Sequence, residues 1–392
     1  MFLSRRHILF GSLTFPVLAA KKSVLEHPNV VLILVDGLPA WVLGAYGNKE
    51  IRTPNLDRLA QTGTRFSNHF ACTPSPEISL GTTLTGRTPM QLGDAAQLPP
   101  GEVTLEKVLS GAGYTAASAG LSTAAQTLEQ QTTGKPFLLT VRCPPLRAPY
   151  DVAAKYRDLY SQSKFDSLNL DRAPSGTAQT DKEMLSDIVG NVRKAAAAIT
   201  ALDEEIAPLL AKLAEKRLTD QTLVIFTSTC GSLLGRHGLW DAGAASDPVN
   251  MYEEAVATPM LWSWPGRVPA QAVRPELVST YDLMPTLCDL VAVGEPARNL
   301  CGRSYLLLAT GKPLPKKQPW RKTIFGYYES TGMARIERYK VVVREPAKGP
   351  GELYDLVADP GERVNQYDNQ NFLSIRTSLS DSFAAWKQRY SA

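Results

Sequence analysis

The chain opens its patterned region with Asn29 to Val35 (NVVLILV), a near-continuous apolar run that ends in Asp-Gly. Such a run predicts a parallel strand buried on both faces. Thr53 as a cap, Pro54 in the first turn, inward Leu56 and Leu59 and a stop at Gly63 predict a helix. A second short helix is expected over Thr104 to Leu109, ended by Gly111 and Gly113, before a strand at Tyr114–Ala119. Pro136 to Val141 (PFLLTV) and Leu223 to Ser228 (LVIFTS) predict two more buried strands. Between them Asp181 to Arg217 has helical composition, with a break expected near Pro208.

Strands alternating with helices imply an α/β fold: a mostly parallel central sheet flanked by helices. The texture changes after Thr310. Residues 312–319 are rich in Pro and Lys and read as a linker. Short strands are expected at Ile324–Tyr328, Tyr339–Arg344 and Glu352–Leu356, with turn residues between them, forming a small C-terminal antiparallel subdomain. Phe372, Ile375, Leu379, Phe383 and Trp386 recur at helical spacing and predict an amphipathic terminal helix. The expected organisation is an export signal at 1–22, an α/β domain at 27–311 and the C-terminal subdomain at 320–392.

Charge and composition refine this picture at the N-terminus. A basic start (Ser4-Arg5-Arg6), an apolar stretch from Ile8 to Leu18 and Ala19-Ala20 before Lys21 form an export signal. Its Ser-Arg-Arg-x-x-Leu order is similar to a twin-arginine signal, so the protein is expected to be periplasmic or secreted. The chain of 392 residues holds 42 Lys and Arg against 38 Asp and Glu. Four of the bases lie in the first 22 residues, where there is no acid, so the remainder balances at 38 against 38. A neutral body carries no footprint for nucleic acid, and no transmembrane span is expected in the mature chain. Four histidines argue against a His-rich zinc centre, and five cysteines leave at least one without an internal partner.

Eight stretches carry a resemblance. PNVVLILVDGL (28–38), RTPNLDRLAQTGTRFSNHF (52–70), LTGRTP (84–89), AGYTAASAG (112–120), VIFTS…LGRHGLW (224–240), MYEEAVATPMLWSWPG (251–266), VSTYDLMPTLCDL (278–290) and RYKVVVREPAKGPGELYDLVADPGE (338–362) run in order across the chain. Together they resemble the sulfatase family of the alkaline-phosphatase-like superfamily. The resemblance implies sulfuric ester hydrolysis: a cysteine in C-x-P-S-R matured to formylglycine, a Ca²⁺ ion on oxygen ligands, and Lys, His and Arg groups around the transferred sulfate.

Walked from the matching flanks, the chemistry-bearing positions read otherwise. The nucleophile position falls on Pro76, and the arginine of that motif on Leu80, while Ser79 keeps the serine. Cys72, in Cys72-Thr73-Pro74-Ser75, is a rival nucleophile that still lacks the arginine. The paired aspartates after the first strand become Asp36-Gly37, and the later metal pair becomes Thr229-Cys230. The G-K-x-H element reads Gly120-Leu121-Ser122-Thr123, the histidine of P-P-H-x-P aligns with Arg147, and the lysine before M-Y-E-E is absent from Asp247-Pro248-Val249-Asn250. Asp36, Gly37, Pro76, Leu80, Leu121, Thr123, Arg147, Thr229 and Cys230 are therefore expected to surround a vestigial pocket, with Leu80 and Leu121 as its plug.

Around that pocket, Asp36 is the one candidate metal ligand, Cys230 a candidate soft ligand, and Arg147 and Arg87 candidate anion contacts or surface ion pairs. Glu77 is an odd charge beside Pro76. His237 is expected to be structural, held by Arg236 or Asp241, and Trp262 and Trp264 to be core.

The leading reading is a catalytically degenerate sulfatase-family protein (a pseudo-sulfatase) with no cofactor, which binds a sulfated or anionic small molecule or saccharide. The alternative is an active sulfate- or phosphate-ester hydrolase with a rearranged site. It would use Cys72, Ser79 or Thr82 with Asp36 and Cys230 on a metal, and only that reading requires Ca²⁺.

Overall fold

The computed structural model describes residues 27–391, apart from 94, 132–133, 169, 171–178 and 297–298. The proposed export signal at 1–22 lies outside the described residues. The strands are β1 (Asn29–Val35), β2 (Thr64–Phe66), β3 (His69–Phe70), β4 (Thr115–Gly120), β5 (Phe137–Arg142), β6 (Thr222–Ser228), β7 (Met260–Ser263), β8 (Ala272–Arg274) and β9 (Val278–Ser279). They are followed by β10 (Ile324–Tyr328), β11 (Thr331–Arg335), β12 (Tyr339–Arg344) and β13 (Glu352–Asp355). The helices are α1 (Pro54–Gln61), α2 (Pro76–Thr85), α3 (Leu105–Gly111), α4 (Leu121–Glu129), α5 (Ala154–Asp158), α6 (Gln179–Ser186), α7 (Ile188–Glu215), α8 (Glu253–Val256), α9 (Leu283–Leu290), α10 (Leu306–Ala309) and α11 (Leu373–Arg389).

The main sheet has the order β4-β5-β1-β6-β7-β2-β8. Strands β4, β5, β1 and β6 are parallel, whereas β7 pairs antiparallel with both β6 and β2. Alternation along β1 divides the core into two layers. Val31, Ile33 and Val35 pack with Leu121, Ala124 and Leu128 of α4 and Ile199 and Leu202 of α7. Val30, Leu32 and Leu34 face Leu105 and Leu109 of α3 and Leu283 and Met284 of α9. Every β1 side chain is buried, which is why the strand reads as a continuous apolar run.

Two helix boundaries differ from expectation. The helical stretch before β6 breaks at Asp187, whose carboxylate caps α7 by accepting from the Gly190 amide at 3.0 Å, and not at Pro208. Pro208 is accommodated inside α7 because the carbonyl it frees belongs to Glu204, on the exposed side where water can satisfy it. Thr53 precedes α1 but its hydroxyl accepts from Gly44, at 3.0 Å. The buried carboxylate of Asp203 caps that helix instead, taking the Asn55 and Leu56 amides at 3.0 and 2.8 Å.

The C-terminal residues form the expected antiparallel sheet, in the order β10-β11-β12-β13. Strand β11 lies between two of the expected strands, where only turn residues were anticipated. It is a fully buried strand, and a Cβ at Gly332 would lie 1.9 Å from the Phe383 ring of α11. The glycine is there to admit the ring. Leu379, Phe383 and Trp386 are the buried face of α11.

This sheet joins the α/β part through a largely buried set of charges. Lys340 Nζ donates to the Met251 carbonyl at 2.7 Å and to Glu253 Oε1 at 3.2 Å, and also contacts Glu362. Arg335 reaches the other Glu253 oxygen at 3.3 Å.

Candidate functional site

Because β5, β1 and β6 lie side by side and run the same way, their carboxyl ends converge at one edge, where α/β sheets form sites. Three backbone hydrogen bonds fix that edge: Cys143 N to Leu34 O at 2.8 Å, Leu146 N to Asp36 O at 2.9 Å and Thr229 N to Val35 O at 2.9 Å. The start of α2 closes over it, with Pro76 at its first position and the Ser79 hydroxyl donating to the Thr229 carbonyl. A cavity of about 280 Å³ remains, lined by Asp36, Gly37, Pro76, Glu77, Arg147 and Asp241, with Tyr328 of β10 at one side.

Asp36 is already engaged on both of its carboxylate oxygens. Asp36 Oδ2 accepts from Arg142 Nη2 at 2.9 Å, and Asp36 Oδ1 accepts from the Thr229 hydroxyl at 2.7 Å. Burial, helped by the nearby Asp36 charge, pushes the Cys230 thiol up, so it stays protonated. Asp241 is raised by burial and by Asp181, while Arg147 opposes that shift.

Hard divalent cations want six or more oxygens. The positions equivalent to the metal ligands supply one carboxylate already shared by two donors, a hydroxyl that donates to it and a neutral sulfur, and the other two acids of the lining, Glu77 and Asp241, do not gather with Asp36 into a three-ligand group. This set does not fit Ca²⁺. Among the described residues no three His, Cys, Asp or Glu side chains come together as a metal cluster.

The structure brings Asp36, Gly37, Pro76 and Arg147 to one cavity, with Thr229 hydrogen-bonded to Asp36 and Cys230 buried close by. Three of the expected pocket residues lie elsewhere. Leu80 packs, half-buried, against the core layer beneath α2 and is not among the residues that line the cavity. Leu121 is buried in the other core layer, and Thr123 is exposed on α4 with its hydroxyl on the Gly120 carbonyl at 3.1 Å. Neither leucine plugs the cavity.

Cys72 is fully buried against the C-terminal sheet among Tyr281, Tyr327 and Ala334, away from the cavity lining. Arg87 pairs with Glu102 at 2.7 Å, at the far end of α2. His237 stacks on Tyr252 with ring centroids 3.7 Å apart, and its Nε2 lies 3.3 Å from Glu254, not from Asp241. Its surroundings are structural. Trp262 and Trp264 belong to the core, and the five cysteines form no disulfide.

The sequence matches the family model described as Sulfatase over residues 28–125 and 119–293. This chain belongs to the sulfatase family. Residues 235–389 of this sulfatase-family chain also match the model described as N-sulphoglucosamine sulphohydrolase, C-terminal. Human arylsulfatase A is 27% identical over 440 residues, covering 89% of this chain and 85% of that protein. The choline-sulfatase of Rhizobium meliloti is 28% identical over 250 residues, which is 60% of this chain and 47% of the relative. A solved structure in complex with its substrate D-glucosamine-2-N,6-O-disulfate superposes with a TM-score of 0.81 at 21% identity, covering 93% of this chain and 98% of that one. The last likeness is one of fold.

Arg142 heads a strand-end segment that the sequence marks as suggestive, but sequence reasoning assigned it no role. The available signal was a lone arginine ending an otherwise apolar strand, at the point where β5 leaves the sheet beside β1. Asp241 was named only as a neighbour of His237; nothing local in the sequence distinguishes it from other loop acids.

Proposed function

We propose that this chain keeps the sulfatase fold as a binding protein for a sulfated or anionic saccharide and does not turn over sulfate esters. One observation carries the reading. The residue that heads α2 and lines the cavity with Asp36 is Pro76, which has no nucleophile to offer. Removing one transition-state donor typically costs about 10²–10³ in rate, and here the nucleophile, metal pair and cationic positions are replaced together. The Cys72 alternative is disfavoured by its complete burial outside the cavity.

The binding half of the reading rests on the lining. Arg147 supplies an exposed guanidinium for an anionic group, and Glu77 and Asp241 can accept from sugar hydroxyls. The solved relative whose substrate is a disulfated glucosamine supports the same ligand class. Export through the signal at 1–22 belongs to this reading, and no described helix is long and apolar enough to cross a membrane.

The test has two arms. Purified protein is assayed with an aryl sulfate, and its peptides are examined by mass spectrometry for formylglycine at Cys72; neither turnover nor formylglycine is expected. Calorimetry with glucosamine and its sulfated forms should then show binding of the sulfated sugar alone. Efficient turnover would overturn the reading.

A further inference from the structure

We propose that the Arg142 guanidinium stands in for the divalent cation of this fold, balancing Asp36 by itself and making the cavity metal-independent. The inference rests on the reading above, in which the fold is retained without its hydrolytic chemistry.

The geometry is that of a built-in counter-ion. Arg142 is the last residue of β5, whose register sets it opposite Leu34, two residues before Asp36. Its Nη2 reaches Asp36 Oδ2 at 2.9 Å, while Thr229 holds Oδ1 at 2.7 Å, so both carboxylate oxygens are taken. The arginine is placed by strand pairing and backbone hydrogen bonds on either side of it, not by a loop.

Charge counting agrees. Asp36 is neutralised by one positive charge, which the Arg142 guanidinium supplies at 2.9 Å; the other two acids of the lining, Glu77 and Asp241, do not gather with it into a three-ligand group. The turn also excludes a second carboxylate. Gly37 sits at φ +83°, and a Cβ there would lie 2.8 Å from the Leu146 carbonyl oxygen. An aspartate at 37 would meet both a strained backbone and an electron-rich oxygen. Thr229 spends its proton on Asp36, and Cys230 presents a buried neutral thiol, so neither replaces the missing oxygen ligands.

A permanent cation has a different consequence from an exchangeable one. A guanidinium stays charged across the physiological range and cannot be removed by chelators. Ligand binding at this cavity should therefore be the same in EDTA and in calcium.

The experiment uses the full chain, stripped with EDTA and titrated with CaCl₂ by calorimetry, with melting curves in each condition. No binding heat and no calcium-dependent shift in melting temperature are expected. A stoichiometric calcium site with Kd near 10⁻⁴ M or tighter would overturn the proposal. A second measurement stands apart from calcium. Arg142→Ala should lower the melting temperature, Arg142→Lys should lower it less, and Asp36→Asn added to Arg142→Ala should recover at least half the loss. Strict additivity of the two substitutions would equally overturn it. Failures of the two readings are separable. Turnover of an aryl sulfate in EDTA would sink the degenerate-enzyme reading and leave Arg142 in place, whereas calcium binding by an inert protein would do the reverse.

Discussion

Two groups of charges in this molecule are built on opposite terms. At the strand ends, Asp36 and Arg142 form a simple pair whose side chains are 21% and 33% exposed, beside a cavity open to ligand. At the junction with the C-terminal sheet, Lys340 and Glu362 are completely buried, and Glu253, Arg335, Arg236, His237 and Glu254 crowd around them. The denser and more strongly perturbed cluster is the joint, not the site. Perturbed charge alone would have pointed to the wrong place. What locates the site is topology: the edge where β5, β1 and β6 end together.

The contrast can be broken most sharply at Lys340. Lys340→Ala would leave Glu362 buried without its cation and Glu253 with only the 3.3 Å contact to Arg335, and should cost about 3–5 kcal/mol in urea denaturation. A loss no greater than that of an exposed pair would mean that water reaches the joint. Acid should be felt next, through Glu254. Burial alone would raise this carboxyl, but His237 and Arg236 hold it at about 2, below its usual 4.5. A depressed carboxyl contributes stability above its unfolded value and loses it as pH falls through the folded one. The native chain should thus weaken between pH 4.5 and 2 by on the order of 3 kcal/mol, and Glu254→Gln should flatten that part of the curve. Equal slopes in the two proteins would refute the assignment. The smallest effect on stability belongs to the site. Arg147→Ala should change unfolding free energy by no more than about 0.5 kcal/mol, yet weaken binding of a sulfated sugar by about ten-fold or more. Unchanged affinity would detach Arg147 from ligand recognition.

Much of the α/β architecture was legible because buried parallel strands announce themselves in both composition and length, as in 29–35 and 223–228. The site's skeleton was legible too, since Asp36, Pro76 and Arg147 follow from the strand ends and the family's motif order. What escaped were features decided by distant partners. The cap of α1 comes from Asp203, the identity of β11 depends on Phe383 filling the space above Gly332, and Asp36 meets Arg142 only when β5 has docked. Leu80, Leu121 and Thr123 were misplaced for the complementary reason. A motif fixes a residue's position along a helix, but only packing decides which side of that helix meets the cavity.

The central position of β1 has a consequence for how the chain is made. The first of the described strands is flanked by β5 and β6, whose residues begin only at Phe137 and Thr222. Until both exist, a segment apolar at six of its seven positions waits with its backbone donors and acceptors hydrogen-bonded only to water. The nascent protein therefore passes through a long interval in which a strongly apolar stretch is exposed. A polar substitution at Val31 or Ile33 would trade native packing for safer synthesis. The same seven residues that make the sheet's centre are thus a liability before folding is complete.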